Sequence, residues 1–177
     1  MVKTSSQIIA LVGMPGAGKS ISCEFFQTKG YPVLRFGDET DRGLKEQGLP
    51  LTEENERQYR ENLRKELGMA AYAVKIEPRI KEALKAHDLV VLDGLYSWEE
   101  YLYLKPKFPQ LMLVAIYARP EIRYQRLAAR SVRRLTLEQA RQRDIAELEN
   151  LNKAGPIALA DYLITNNQDK LKLFQKL

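Results

Sequence analysis

Short apolar runs and longer, periodically apolar segments alternate along this chain. The runs are "QIIALV" (Gln7–Val12), "PVLR" (Pro32–Arg35), "DLVVLD" (Asp88–Asp93), "QLMLVAIY" (Gln110–Tyr117) and "DYLIT" (Asp161–Thr165). The third and fourth are apolar without a break, as expected of central strands covered on both faces. Between the runs lie helical patterns at Lys19–Lys29, Glu53–Leu67, Met69–Ala86, Pro120–Ser131, Leu137–Leu151 and Asp169–Lys176. Pro120 fits a first helical turn, and Thr136 before Glu138 and Gln139 fits an N-cap. Strands alternating with helices predict βαβ units, a parallel sheet and an α/β class. The polar connection from Asp38 to Leu67 is long for such a fold and predicts a helical insertion over a site.

Composition adds bounds to this picture. The chain has 177 residues, enough for one domain with a real core, and its 45% hydrophobic and 29% charged residues are a globular balance. One cysteine, Cys23, excludes an intramolecular disulfide, which makes the cytoplasm the expected location. The first apolar run is too short for a signal peptide or a membrane span, so no membrane partner is expected. No repeat, low-complexity tract or linker interrupts the chain, so residues 1–177 are read as a single domain.

The net charge of +5 is concentrated. Between Arg119 and Arg143 stand eight arginines, no lysine and only two acids, Glu121 and Glu138. An arginine-only segment suggests a nucleic-acid surface or a clamp on a small ligand's phosphates. Aromatic residues interleaved with the basic ones, as single-strand binding requires, are nearly lacking: only Tyr124 lies inside the cluster. A nucleic-acid partner is therefore the weaker reading.

The most specific motif follows the first strand. "GMPGAGKS" (Gly13–Ser20) fits G-x-x-x-x-G-K-[ST] between a strand and a helix. Glycines let successive N–H groups turn toward phosphate oxygens, and the helix N-terminus adds partial positive charge. Gly13, Gly16, Ala17, Gly18, Lys19, Ser20 and Ile21 are the expected triphosphate contacts, with Lys19 catalytic and the Ser20 hydroxyl placed for Mg²⁺. A second metal-side group should end a central strand, and Asp93 after "LVVL" does so. ATP and Mg²⁺ are the expected cofactors.

The remaining chemistry belongs to an acceptor and a cover. The insertion carries Asp38, Arg42 and Arg64. Arg123, Arg126 and Arg130, at i, i+3 and i+7, share one helix stripe, beside Tyr124, Leu127 and Ala128, which can face the sheet. "RSVRR" then breaks the helix before Thr136, as a lid at 131–136 would, and Arg141 and Arg143 return on the next helix. Convergent guanidinium groups neutralise charge on a transferring phosphoryl group. Trp98 and Tyr96, Tyr101 and Tyr103 read as packing or a subunit contact, with base stacking by Tyr96 as a further option. His87 reads as a surface residue and Cys23 as core.

"GMPGAGKS", Gly37-Asp38, "GLPLT", "LRKELGMAA", "VVLDG", "IRYQRLAAR", "RDIAEL" and "IALADYLITN", in this order over nearly the whole chain, resemble the nucleoside monophosphate kinase superfamily of P-loop proteins. The chain is most similar to an adenylate-kinase-related, dephospho-CoA kinase-like group common in archaea. The resemblance implies a three-layer P-loop kinase fold with a five-stranded parallel sheet in the order 2-3-1-4-5, an acceptor insertion at 38–67 and a small lid. It implies that Asp38, Arg64, Gly94 and Tyr96 serve the acceptor, Asp93 the metal, and Arg126, Arg130 and Arg143 a phosphate clamp. It places Asn166 near the adenine. Asp41 stands where that group's pattern has an arginine, Tyr96 replaces another, and "VRRLTLEQA" replaces an acidic lid stretch. The implied activity is transfer of the γ-phosphate of ATP to a nucleotide-like acceptor, first a nucleoside monophosphate. The alternatives are transfer to a sugar hydroxyl, as on dephospho-CoA, and an NTP-binding switch or nucleic-acid-associated ATPase.

Overall fold

The apolar runs become strands because each can bury both of its faces. A computed structural model describes residues 6–177. Its strands are β1 (Gln7–Val12), β2 (Val33–Arg35), β3 (Leu89–Asp93), β4 (Leu111–Tyr117) and β5 (Tyr162–Thr165). All neighbours are parallel, as the alternating pattern predicts, and the order β2-β3-β1-β4-β5 is the one the family resemblance implies. Side chains alternate between faces: Ile8, Ala10 and Val12 of β1 enter one core, and Leu11 enters the other.

The helices are α1 (Lys19–Thr28), α2 (Asp38–Glu46), α3 (Glu53–Leu67), α4 (Ala71–Ala86), α5 (Trp98–Leu104), α6 (Pro120–Ala128), α7 (Leu137–Leu151), α8 (Ala154–Ala158) and α9 (Lys170–Phe174). The larger core joins one face of the sheet to Ile76, Ile80 and Leu84 of α4 and Leu104 of α5, all fully buried. The smaller joins the other face to Cys23 and Phe26 of α1, and the Phe25 ring of α1 meets Phe174 of α9 at 5.2 Å. Each such aliphatic or aromatic side chain contributes on the order of 1.5–3 kcal/mol by leaving water.

Three short helices depart from the expected pattern. α2 has no apolar period, since Leu44 is its one large apolar residue. Tertiary contacts hold it instead: Thr40 shares a 2.6 Å hydrogen bond with Tyr72 of α4. Gly43 also lies so close to the Tyr59 ring of α3 that a Cβ there would stand 2.0 Å from the hydroxyl. α5 begins at a capping box, Ser97 with Glu100, a signal present in "SWEE". α8 is a five-residue helix, and a Cβ on its Gly155 would stand 2.7 Å from the Trp98 ring. Trp98 thus packs within the chain, its ring 5.5 Å from that of Tyr101. α6 ends at Ala128, three residues before the expected Ser131. Thr136 forms the expected N-cap, as a capping box with Gln139. No helix of the described residues is long and apolar enough to cross a membrane.

Candidate functional site

Parallel strands present their carboxyl ends together, and the motif residues collect there. The β1–β3 register sets Leu11 beside Asp93, so the loop after β1 starts level with the end of β3. Gly13 has φ +141°, and a Cβ there would strike the Ile116 carbonyl oxygen of β4 at 2.3 Å. Only glycine passes this point. Gly18, at φ +114°, is the N-cap of α1 and supplies no capping side chain, so the first N–H groups of α1 are left for a ligand. A Cβ on Gly18 would stand 2.2 Å from the Asn166 amide nitrogen.

Buried ties hold the loop from outside. Asn166 donates from Nδ2 to the Ala17 carbonyl at 2.8 Å. Arg123 donates from Nη1 to the Pro15 carbonyl at 3.0 Å and grips Asp144 of α7 with both terminal nitrogens, at 2.9 and 2.6 Å. Arg123 therefore does not share an outward stripe with Arg126 and Arg130, as its spacing suggested. It is an internal brace between α6, α7 and the loop, and burial of its charge is outweighed by the Asp144 carboxylate, which raises its pKa.

Lys19 reaches back along the loop, donating to the Gly13 carbonyl at 2.7 Å and the Met14 carbonyl at 3.3 Å. Burial, together with the nearby charge of Lys153, pulls its pKa down to about 7, against the opposing pull of Asp93 and Glu147. A triphosphate beside this amine favours the charged form. Binding of Mg·ATP at pH 8 is therefore expected to take up about one proton. Calorimetry in two buffers of different ionisation enthalpy reads this directly, and no proton uptake would remove the assignment of Lys19 to the phosphates.

Asp93 lies at the mouth of the loop, and its nearest charged partner is Arg35 at 3.7 Å, long for a hydrogen bond. Burial raises its pKa, with Lys19 as the main opposing influence. Asp93 is thus a desolvated carboxylate without a close counter-ion at the end of β3, and Ser20, in the first turn of α1, is exposed. Among the described residues, no cluster of three or more His, Cys, Asp or Glu is grouped to hold a metal by itself.

On the acceptor side, Asp38 is held between two arginines that sequence reasoning missed. Arg35 Nη1 stands 3.6 Å from Asp38 Oδ1, and Arg79 Nη2 stands 3.4 Å from Oδ2. Arg79 also pairs with Glu39 at 2.5 Å. Nothing local marks either arginine, because β2 and α4 supply them from separate parts of the chain. Arg64 lies over the Tyr72 ring at 5.7 Å, and its buried Nε has no hydrogen-bond partner. Gly94, at φ +107°, packs against Phe36 and the Tyr96 ring. Tyr96 has one ring face covered by Lys153, 4.6 Å from the ring centre. Arg42 is exposed and lines a shallow groove with Asp41, Lys45, Leu49 and Leu51, none of them an expected acceptor residue. A cavity of about 320 Å³ between α2 and α3, lined by Gln47, Asn55 and Tyr59 among others, contains none of the expected site residues.

Of the expected clamp residues, Arg130 and Arg143 approach each other, and Arg126 is engaged elsewhere. Arg126 donates to the Asn166 carbonyl at 3.0 Å and the Gln168 carbonyl at 2.8 Å, in the turn after β5. Arg130 lies near enough to Arg143 for the two charges to repel. Arg143 donates from Nε to Glu147 at 2.9 Å. Lys153 is only 3% exposed and pairs with the other Glu147 oxygen. Neither Glu147 nor Lys153 carries a motif signal, and their lone visible hint was charge in an otherwise ordinary helix end.

A glycine-rich loop on the N-terminus of α1, an acid at the end of β3 and the 2-3-1-4-5 order together define a P-loop NTPase with the kinase-like arrangement. A family model described as "AAA domain" matches residues 9–150. The chain belongs to the UPF0200 family. It is 36% identical to the UPF0200 protein of Pyrococcus abyssi over 173 residues, covering 96% of this chain and 91% of that one. With the UPF0200 protein of Methanocaldococcus jannaschii the identity is 35%, covering 91% and 82%. Among solved structures, shikimate kinase from Bacteroides thetaiotaomicron has a similar fold, with TM-score 0.61, 15% identity and coverage of 96% and 95%. A gluconokinase from Sinorhizobium meliloti 1021 does too, with TM-score 0.54, 17% identity and coverage of 98% and 90%.

Proposed function

We propose that this protein is a small-molecule kinase that moves the γ-phosphoryl group of ATP onto a hydroxyl of an acceptor held beneath α2 and α3. The observation that carries this reading is the Asp38–Arg35–Asp93 arrangement. One guanidinium spans from the acceptor-side carboxylate at 3.6 Å to the metal-side carboxylate at 3.7 Å. A hydroxyl bound by Asp38 therefore stands beside the end of the triphosphate. Its oxygen attacks the γ-phosphorus, the bond to the β-bridging oxygen breaks to give ADP, and the hydroxyl proton passes to Asp38. Ser20 and Asp93 are the residues that would hold Mg²⁺, which would supply charge neutralisation to the transferring phosphoryl group.

The nucleoside monophosphate reading has less support in this geometry. The two cations nearest Asp38, Arg35 and Arg79, lie against Asp38 and Glu39, and an acceptor phosphate would have to compete with both carboxylates for them. Arg64, with its unpartnered Nε, remains as a charged handle for the rest of the acceptor. The nucleic-acid reading weakens for a similar reason: Arg123 and Arg143 are in ion pairs, and Arg126 is spent on backbone carbonyls. The 131–136 segment suits a cover, since Arg133 reaches Glu56 of α3 at 3.6 Å.

A coupled ADP-release screen over sugars, hydroxy acids, dephospho-CoA and nucleoside monophosphates tests the reading. Stimulation by a hydroxyl acceptor is expected, whereas stimulation by monophosphates alone would overturn it. With that acceptor, Asp38→Asn is expected to lower turnover roughly 10²–10⁴-fold and leave Mg·ATP affinity unchanged.

A further inference from the structure

We propose that Lys153 is a second lysine of the triphosphate site, and that the Glu147 carboxylate occupies the place of a terminal phosphate between the cations until nucleotide binds. The inference rests on the ATP half of the function proposed above and is independent of the acceptor.

Lysines are almost never fully buried unless paired, and Lys153, 3% exposed, has Glu147 as its ion-pair partner. It precedes α8 at the sharp turn where Asn152 adopts φ +48° and ends α7. Its ammonium lies 4.6 Å over the Tyr96 ring. Tyr96 packs on Gly94, the neighbour of Asp93, so this path leads to the metal side of the loop. Lys153 acts electrostatically on both Lys19 and Asp93. An ammonium has three donors, and Glu147 is the one hydrogen-bond acceptor that Lys153 meets among the described residues.

Glu147 itself holds two cations at once, Lys153 on one oxygen and Arg143 on the other. Two cations touch this carboxylate, the Lys19 ammonium across the loop feels its charge, and Arg130 lies beside Arg143. Such a cluster suits a polyanion, whose several oxygens can meet the unused donors of Lys153 and Arg143 together. The Arg123–Asp144 pair, one turn earlier on α7, makes the contrast. There the guanidinium is also bonded to the carbonyls of Ala118 and Pro15, and Tyr124 donates to the same carboxylate, so every group is used within the fold. The Glu147 cations keep donors in reserve.

A phosphoryl group arriving at Lys19 competes with Glu147 for Lys153 and Arg143, and the displaced carboxylate turns to solvent. Glu147 thus keeps the cations together without ligand and lowers the affinity for nucleotide. Removing it should tighten binding, an outcome opposite to that for a merely structural acid.

The test is calorimetric binding of Mg·AMP-PNP and of AMP to the full chain. Glu147→Gln is expected to bind AMP-PNP about tenfold tighter and Lys153→Met about tenfold weaker. Lys153→Arg should stay near the native affinity, and AMP should bind all variants alike. Unchanged or weaker AMP-PNP binding by Glu147→Gln overturns the proposal, as does an equal change for AMP. If Glu147→Gln melts too early to titrate, Glu147→Asp gives the same readout, because its shorter arm releases Lys153 with the charge retained; unchanged binding there also overturns it. Failure of the native protein to bind AMP-PNP would strike the kinase reading, whereas native binding with no gain in the variants strikes this inference alone.

Discussion

Lys19→Ala is expected to lower phosphoryl transfer by roughly 10³-fold or more, with the fold intact. The amine is the one cation on the loop itself, and it already touches the carbonyls of Gly13 and Met14, where phosphate oxygens are to be bound. Its loss removes charge stabilisation in a site where water screens little, so the effect exceeds that of an exposed lysine. The stability effect has a definite sign. The folded pKa is lowered from 10.5 to about 7, chiefly by burial. The unfolded chain therefore holds a proton that the native protein gives up, and native stability rises as pH climbs from about 7 to 10.5. Below pH 7 the cost of a buried charge is fully present. Melting curves at pH 6, 8 and 10 should show this rise in the native protein and a flatter profile in the alanine variant. Full turnover in that variant would sink the catalytic assignment of the loop.

Asp144→Ala is expected to cost about 3–5 kcal/mol, the largest stability loss predicted for a single substitution in this chain. The reason is the Arg123 charge it strands, since the side chains are only 6% and 10% exposed and the pair is bonded twice. A domain is stabilised by some 5–15 kcal/mol in all, so a large part of the total is at stake. Loss of the pair also frees the Pro15 carbonyl tie, so weaker nucleotide binding should accompany the lower stability. Replacing both partners by methionine should cost less than the single change, because no charge is left unpaired. Urea titrations of Arg123→Met, Asp144→Met and the double methionine variant, run beside Asp144→Ala, form the cycle. A loss below about 1 kcal/mol for Asp144→Ala would mean that water reaches Arg123.

These two residues mark where reading the chain succeeds and fails. Lys19 was legible because loop, strand and helix are consecutive, and the spacing of glycines and Lys-Ser is itself the mechanism. Asp93 was legible for the same reason, as the polar end of a run that can only be a central strand. The spacing puts Arg123 on one stripe with Arg126 and Arg130, but helical spacing fixes the face on which a side chain lies and not what packs against that face. Here α7 supplies Asp144, and the arginine turns inward to meet it. Arg126, three residues on, was bound by the turn after β5. The helical insertion from Asp38 was legible, but what holds α2 was not, because Thr40 and Gly43 gain their meaning from Tyr72 and Tyr59, far along the chain.

By itself, the sequence determined the strands, the parallel α/β class, the phosphate loop and the acid opposite it, since each depends on neighbours within a few residues. The tertiary structure alone decided how the charges are shared. It set Arg35 between Asp38 and Asp93, gave Arg79 to Asp38 and Glu39, left Arg64 with an unpartnered nitrogen, and buried Lys153 on Glu147 beside the loop. Ion pairs join side chains from separate elements, and their strength depends on burial and distance, which no local pattern of residues encodes.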